Sequence, residues 1–113
     1  MSADFPGSPA LQNFLRMLEG GKDGALLRFA IGNEYLKAGE PSAAALHFAR
    51  AVALDPGYTA AWKLRGKALA DAGRTDEAIE AYEQGIAVAR GKGDRQAEKE
   101  MEVFVRRLRN AAG

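Results

Sequence analysis

Cysteine is absent from the chain, and histidine and tryptophan occur once each. No disulfide, thiolate metal site or cysteine nucleophile can therefore be built. The single imidazole, His47, finds no partners at convincing ligand spacing among Glu34, Glu40 and Asp55, so no metal or other cofactor is expected. Placed beside Phe48 and between polar positions, it reads as an exposed surface residue. An excess of either charge is lacking too: the formal net charge is +1, which gives no global attraction to nucleic acid or to an acidic membrane. No stretch approaches the ~18 consecutive apolar residues of a membrane span. The opening MSADFPGSPA has neither the basic patch nor the apolar run of a secretory signal, and a cytoplasmic location is the expectation.

What is present is ordinary for a globular protein, with 47% hydrophobic and 27% charged residues. A chain of 113 residues buries roughly 65% of its unfolded surface and needs no metal or disulfide to fold. Residues 1–8 read as a flexible tail, ending in Ser8-Pro9 as N-cap and first helical proline. Leu11, Phe14, Leu15 and Leu18 then follow at i, i+3, i+4, i+7, the spacing of one helix face. Gly20-Gly21 stops this helix. Further helices are expected over Ala25–Ala38, from Pro41 to about Leu54, near Thr59–Ala72 and near Asp76–Ala89, with Gly39 and Gly73 ending two of them and Thr75 as an N-cap. Gly91-Lys92-Gly93 separates a last helix from Asp94 to about Asn110, whose Ala97, Met101, Phe104, Val105 and Leu108 form an amphipathic stripe.

Two of these segments are the same pattern 34 residues apart. Subtracting 34 takes Gly66 to Gly32, Leu69 to Tyr35, Gly73 to Gly39, Ala78 to Ala44 and Tyr82 to Phe48. A fixed period with matched small and large residues is a repeat. The elements Trp62-x-x-x-Gly66-x-x-Leu69 and Ala78-x-x-x-Tyr82, with Gly32-x-x-Tyr35, Ala44-x-x-x-Phe48, Ala51 and Pro56, resemble the tetratricopeptide repeat family. The resemblance implies an all-α solenoid of antiparallel helix hairpins. Two repeats, about 25–58 and 59–92, would stand between capping helices at about 9–19 and 94–110, in a single domain over 9–111. Glycine inside a helix costs about 1 kcal/mol relative to alanine; Gly32 and Gly66 are tolerable if a neighbouring helix must approach closely. The first helix itself aligns weakly as a half repeat, Ala10 under Ala44 and Phe14 under Phe48. Departures from the pattern are Arg65 at a place usually apolar, Gly85 for the usual alanine, Arg28 where Trp62 stands, and Arg90 where Pro56 stands. The last suggests that the fifth helix runs on to the Gly91-Lys92-Gly93 break.

The family generally uses the groove lined by the first helix of each hairpin. Helical geometry places Lys63, Lys67, Ala70 and Asp71 on one stripe, and their counterparts Phe29, Asn33, Leu36 and Lys37 on the preceding hairpin. Such a groove is apolar on one side and basic on the other. It would suit an extended peptide with an aliphatic side chain for Phe29 and Leu36 and a carboxylate, acidic or C-terminal, for Lys63 and Lys67. Asn33 could hold the peptide backbone. Asn33, Lys63 and Lys67 partly match the clamp by which some family members hold a chaperone's acidic C-terminus. The competing reading makes the two lysines a solvated face and packs Phe29 on the N-terminal helix. Arg106-Arg107-x-Arg109 is locally basic but lacks interleaved aromatics; Glu98, Glu100 and Glu102 offset it, and complementing a helix C-terminus explains it without nucleic acid. Asp76, Glu77, Glu80 and Glu83 line a solvated face instead of converging, so catalysis is not expected. The sequence thus points to a non-catalytic protein–protein interaction module, a monomer or weak homodimer. The alternative is an assembly subunit pairing through Met101, Phe104 and Val105.

Overall fold

The computed structural model describes residues 8–112. They form six helices, α1 (Pro9–Glu19), α2 (Ala25–Lys37), α3 (Pro41–Leu54), α4 (Thr59–Asp71), α5 (Thr75–Lys92) and α6 (Arg95–Ala112). Residues 1–7 of the expected tail lie outside the described residues. Ser8, its last residue, is tied down at both ends of its hydroxyl: the oxygen accepts from the Leu11 N–H at 3.1 Å and the O–H donates to Glu34 on α2 at 2.9 Å. One residue thereby caps α1 and docks it.

The hairpin turns repeat with the sequence. After α2 and α4 the chain turns through Gly39 and Gly73, at φ +77° and +78°, values that a side chain resists. Glu40 N–H then reaches the Tyr35 carbonyl and Arg74 N–H the Leu69 carbonyl, both at 2.9 Å, satisfying carbonyls that the helix end leaves open. Thr75 is not the N-cap of α5. Arg74 holds that place and Thr75 is already helical, because the glycine turn closes one residue earlier than a threonine cap requires; the Arg74 guanidinium instead forks onto Glu77 at 2.7 and 2.8 Å. With Arg90 at Pro56's repeat position, nothing stops α5 before Gly93, which takes φ +73°.

Packing explains the glycines inside the helices. A Cβ on Gly32 would stand 2.7 Å from the Phe48 ring, and one on Gly66 2.6 Å from the Tyr82 ring. Each ring occupies the space of the missing methyl, and Phe48 is fully buried there. Burial of such a side chain contributes roughly 1.5–3 kcal/mol, which outweighs the glycine's helix penalty of about 1 kcal/mol. Gly85 has the same reason one junction later: a Cβ would meet the Met101 sulfur at 2.5 Å and Trp62 Cβ at 3.0 Å. Its counterpart 34 residues earlier, Ala51, has room for its methyl.

Arg28 and Trp62 occupy the same repeat position and do the same work with different chemistry. The Trp62 indole N–H donates to the Pro56 carbonyl in the turn before α4 at 2.8 Å. Arg28 forks onto Asp23 in the turn before α2 at 2.8 and 3.0 Å. Arg28 also lies 3.2 Å from His47 Nδ1, and His47 stacks on Tyr35 with centroids 5.5 Å apart. His47 is therefore half-buried between two α2 side chains, not the free surface imidazole that its polar neighbours suggested. Burial, and next the Arg28 charge, hold it below the usual imidazole range, with Asp23 opposing.

Consecutive helices pack together. Beyond these neighbours α2 touches α4 and α4 touches α6, whereas α1, α3 and α5 do not touch one another. Helices closer together in one layer than in the other make the stack curve, with α2, α4 and α6 on the concave side. At the first end α1 meets only α2. Leu11 is buried and Phe14 and Leu18 are half-buried, while Ala10 and Met17, 34 residues before the fully buried Ala44 and Ala51, are exposed. Neither aligned position, Ala10 under Ala44 or Phe14 under Phe48, is buried as its counterpart is, because no helix precedes α1 among the described residues to cover it.

Candidate functional site: a cleft between α4 and α6

The concave layer is not uniform. Between α4 and α6 a cleft of about 470 Å³ is floored by Leu64, Ala70, Tyr82, Phe104 and Leu108 and rimmed by Lys63, Lys67, Asp71, Glu100 and Arg107. An apolar bed with a few polar groups at its margin is the usual composition of a ligand site. Helical periodicity builds it. Lys63, Lys67, Ala70 and Asp71 share one stripe of α4, while Phe104, Arg107 and Leu108 recur at i, i+3, i+4 on α6. Tyr82 comes up from α5, 4% exposed, its ring 5.3 Å from Phe104. Burial, with a smaller contribution from Asp71, pushes its hydroxyl up to about 12, so it faces the cleft as a neutral phenol.

Three of the seven residues that the sequence assigned to the groove meet here: Lys63, Lys67 and Asp71. The other four do not line this cleft. Phe29 is half-buried among Ala51, Val52 and Ala61, stacked on Tyr58 at 4.9 Å and 5.8 Å from the Phe48 ring. Its ring thus packs on α3, the α3–α4 turn and the start of α4. Leu36 lies against the central core. Lys37 is exposed and pairs with Glu34 at 2.8 Å; Asn33 is half-buried beside it on α2.

The charges are also distributed differently. Lys67 pairs with Asp71 at 3.4 Å and Lys63 with Glu100 at 3.2 Å, so both lysines already have carboxylates. Arg107 stands on the rim with no ion pair among the described residues. The sequence set it aside with Arg106 and Arg109 as complements to the helix dipole. That reason fails for Arg107 because α6 runs to Ala112, and the dipole's influence fades within the last turn. Only Arg109 lies in that turn, where it pairs with Glu83 at 2.5 Å. The self-pairing alternative loses two of its three residues, because they are packed inside the chain. Met101 and Val105 are buried against α5, and the half-covered Phe104 and Leu108 form a wall of the cleft. The missed signal was the α6 stripe itself, whose edge at Phe104 and Leu108 faces across to the Lys63–Asp71 stripe.

The Lys63–Glu100 pair crosses the cleft about midway. Beyond it the depression continues between the helix starts, lined by Thr59, Ala60, Asp94 and Ala97. Both partners of that pair are well exposed, so it contributes at most about 1 kcal/mol. Among the described residues no helix is long and apolar enough to cross a membrane.

Residues 29–94 match the tetratricopeptide repeat family. The chain is 50% identical over 101 residues to the TPR repeat-containing protein PA0015 of Pseudomonas aeruginosa, covering 89% of this chain and 96% of that one. Its fold is similar to the solution structure of protein BPP2914 from Bordetella parapertussis, with a TM-score of 0.79, 38% identity and coverage of 92% and 90%. The crystal structure of a tetratricopeptide repeat domain protein from Salinibacter ruber superposes with a TM-score of 0.70 at 32% identity, covering 78% of this chain and 98% of that one. With its glycine–ring interlocks, 34-residue period and these relatives, the chain belongs to the tetratricopeptide repeat family, whose members generally act as protein–protein interaction modules.

Proposed function

We propose that the chain binds, without chemical conversion, an extended protein segment carrying an apolar side chain beside a carboxylate, and that it does so in the α4–α6 cleft. The observation that carries this reading is Arg107: the rim residue without a carboxylate of its own, over a floor of Phe104 and Leu108. The apolar anchor would fill the floor and a charge-assisted hydrogen bond to Arg107 would fix its neighbour. Lys67 and Lys63 would add to this only by exchanging Asp71 or Glu100 for the ligand, which their weak pairs permit. The acids of the cleft are held by lysines and do not converge on a common point, which supports recognition over catalysis.

A random peptide display library panned on the folded domain tests this. Enriched peptides should pair a Leu- or Phe-sized residue with Asp, Glu or a free C-terminus. Arg107→Glu should weaken the best of them at least tenfold by titration calorimetry while leaving the urea midpoint in place, since exposed substitutions usually stay within about 0.5 kcal/mol. Enrichment without acidic residues, or unchanged affinity in Arg107→Glu, would contradict the proposal.

A further inference from the structure

Two residues on from Lys63 the α4 surface has turned by roughly 200°, and there Arg65 enters a depression of about 370 Å³ between α3 and α4. Ser42, Leu46 and Arg74 stand around it, with the side chains of Ala45, Ala49 and Leu69 completing the wall. Its place in the repeat is that of Ile31, which is fully buried. The second hairpin has thus put a guanidinium where the first has a core side chain.

One donor of that guanidinium is not satisfied. Arg65 Nε is buried and donates to no other atom of the described residues, although buried donors are nearly always paired. Its carbon lies 5.8 Å from the centroid of the Trp62 ring, which holds the planar group in place. No carboxylate among the described residues forms an ion pair with it. Arg74, the other cation of the depression, has already committed two nitrogens to Glu77. Beside them Leu46 is 63% exposed.

We infer that this depression is a second binding site, separate from the α4–α6 cleft, that takes a carboxylate side chain from an acidic segment of a partner protein. The carboxylate would accept from Arg65, and an apolar neighbour on the same segment would cover Leu46. The local charge selects that occupant: a guanidinium with no ion pair among the described residues, its charge felt by Glu77, which Arg74 already holds, a second arginine alongside, and an apolar lip. A buried donor without an acceptor weakens the fold when the site is empty, and a carboxylate that accepts from Arg65 Nε removes that penalty when it binds.

The test uses the full chain carrying Arg107→Glu, so that the cleft does not contribute. The probe is the peptide acetyl-Leu-Asp-Leu-Glu-amide, with its Asn/Gln counterpart as control, followed through the Arg65 Nε–H and Leu46 methyl signals in NMR spectra. The acidic peptide should shift both signals saturably, and the amide peptide should bind at least fivefold more weakly. Arg65→Ile, which copies the first hairpin, should melt higher than the parent and lose the response. The proposal is overturned if the Arg65 signal is unmoved at millimolar peptide, if both peptides shift it equally, or if Arg65→Ile melts lower. It is equally overturned if the signal instead follows protein concentration without peptide, because the occupant would then be a second copy of the chain.

Discussion

The concave layer contains two junctions, α2 with α4 and α4 with α6, and they differ in what became of matched residues. At the first, Phe29 is stacked on Tyr58 and packed among Ala51, Val52 and Ala61, so the side chain that could anchor a ligand is taken up by the stack. At the second, Lys63 stands at the repeat position of Phe29, and the residue 34 after Tyr58 is Lys92. No aromatic plug is supplied, Lys92 turns to the Gly57 carbonyl, and Phe104 and Leu108 are left half-covered. A repeat fixes where side chains point. Whether a given position is surface or packing depends on what the next unit brings against it.

The strongest way to break this comparison is to unseat α6. Met101 is fully buried and sits against Gly85; Met101→Ala should cost about 2–5 kcal/mol, measured by urea unfolding. In hydrogen exchange α6 should lose protection before α2 and α3 do. An equal loss in all helices would mean that the two junctions are not separable.

A smaller change sharpens the same contrast. Gly85→Ala gives the second junction the residue of the first, Ala51, and should push α6 outward at a cost of about 1–3 kcal/mol, because the Trp62 Cβ cannot yield as the methionine end can. Gly91, in the same helix, has nothing within 4 Å of a Cβ, and Gly91→Ala should stabilise by about 1 kcal/mol. Opposite signs in the urea midpoints check that packing, not helix propensity, decides the first. Two destabilised variants, or two stabilised ones, would contradict it.

The smallest expected effect belongs to the first junction's own hairpin. His47 is held below its ordinary value of 6.5 by burial and by Arg28, so between 6.5 and its folded value the unfolded chain binds the additional proton. Stability should fall as pH drops through that window and level off below it. Asp23, Glu34 and Glu77 are shifted down from 3.8, 4.5 and 4.5, and their contribution is present above those values and lost only as pH falls through the still lower folded ones. Melting temperatures between pH 7 and pH 5 should therefore slope in the wild type and be flatter in His47→Gln. The same slope in both would place the titration elsewhere.

These residues also mark what the sequence could say. Helices and glycine turns were legible because they depend on local spacing, and the period marked Gly32 and Gly66 as points of close helix approach; that the Phe48 and Tyr82 rings fill those points is seen only in the stack. Of the candidate site, the stripe of α4 was legible and its partner was not. Nothing in the spacing of Phe29 tells that Tyr58 covers it, and nothing in Arg106-Arg107-x-Arg109 tells that the three arginines part company, one to Glu83, one to the cleft. His47 was misplaced for the same reason, since its partners Arg28 and Tyr35 lie on another helix. Local pattern sets direction along a helix, whereas pairing across helices needs the stack.

On the proposed function, ligands engage the α4–α6 junction and leave the α2–α4 junction alone. The most direct measurement is an NMR titration of the wild-type chain with the best display-selected peptide. Saturable shifts should centre on Leu64, Lys67, Phe104, Arg107 and Leu108, with Phe29, Asn33 and Leu36 unmoved. Shifts centred on Asn33, Leu36 and Lys37, with α6 silent, would contradict it.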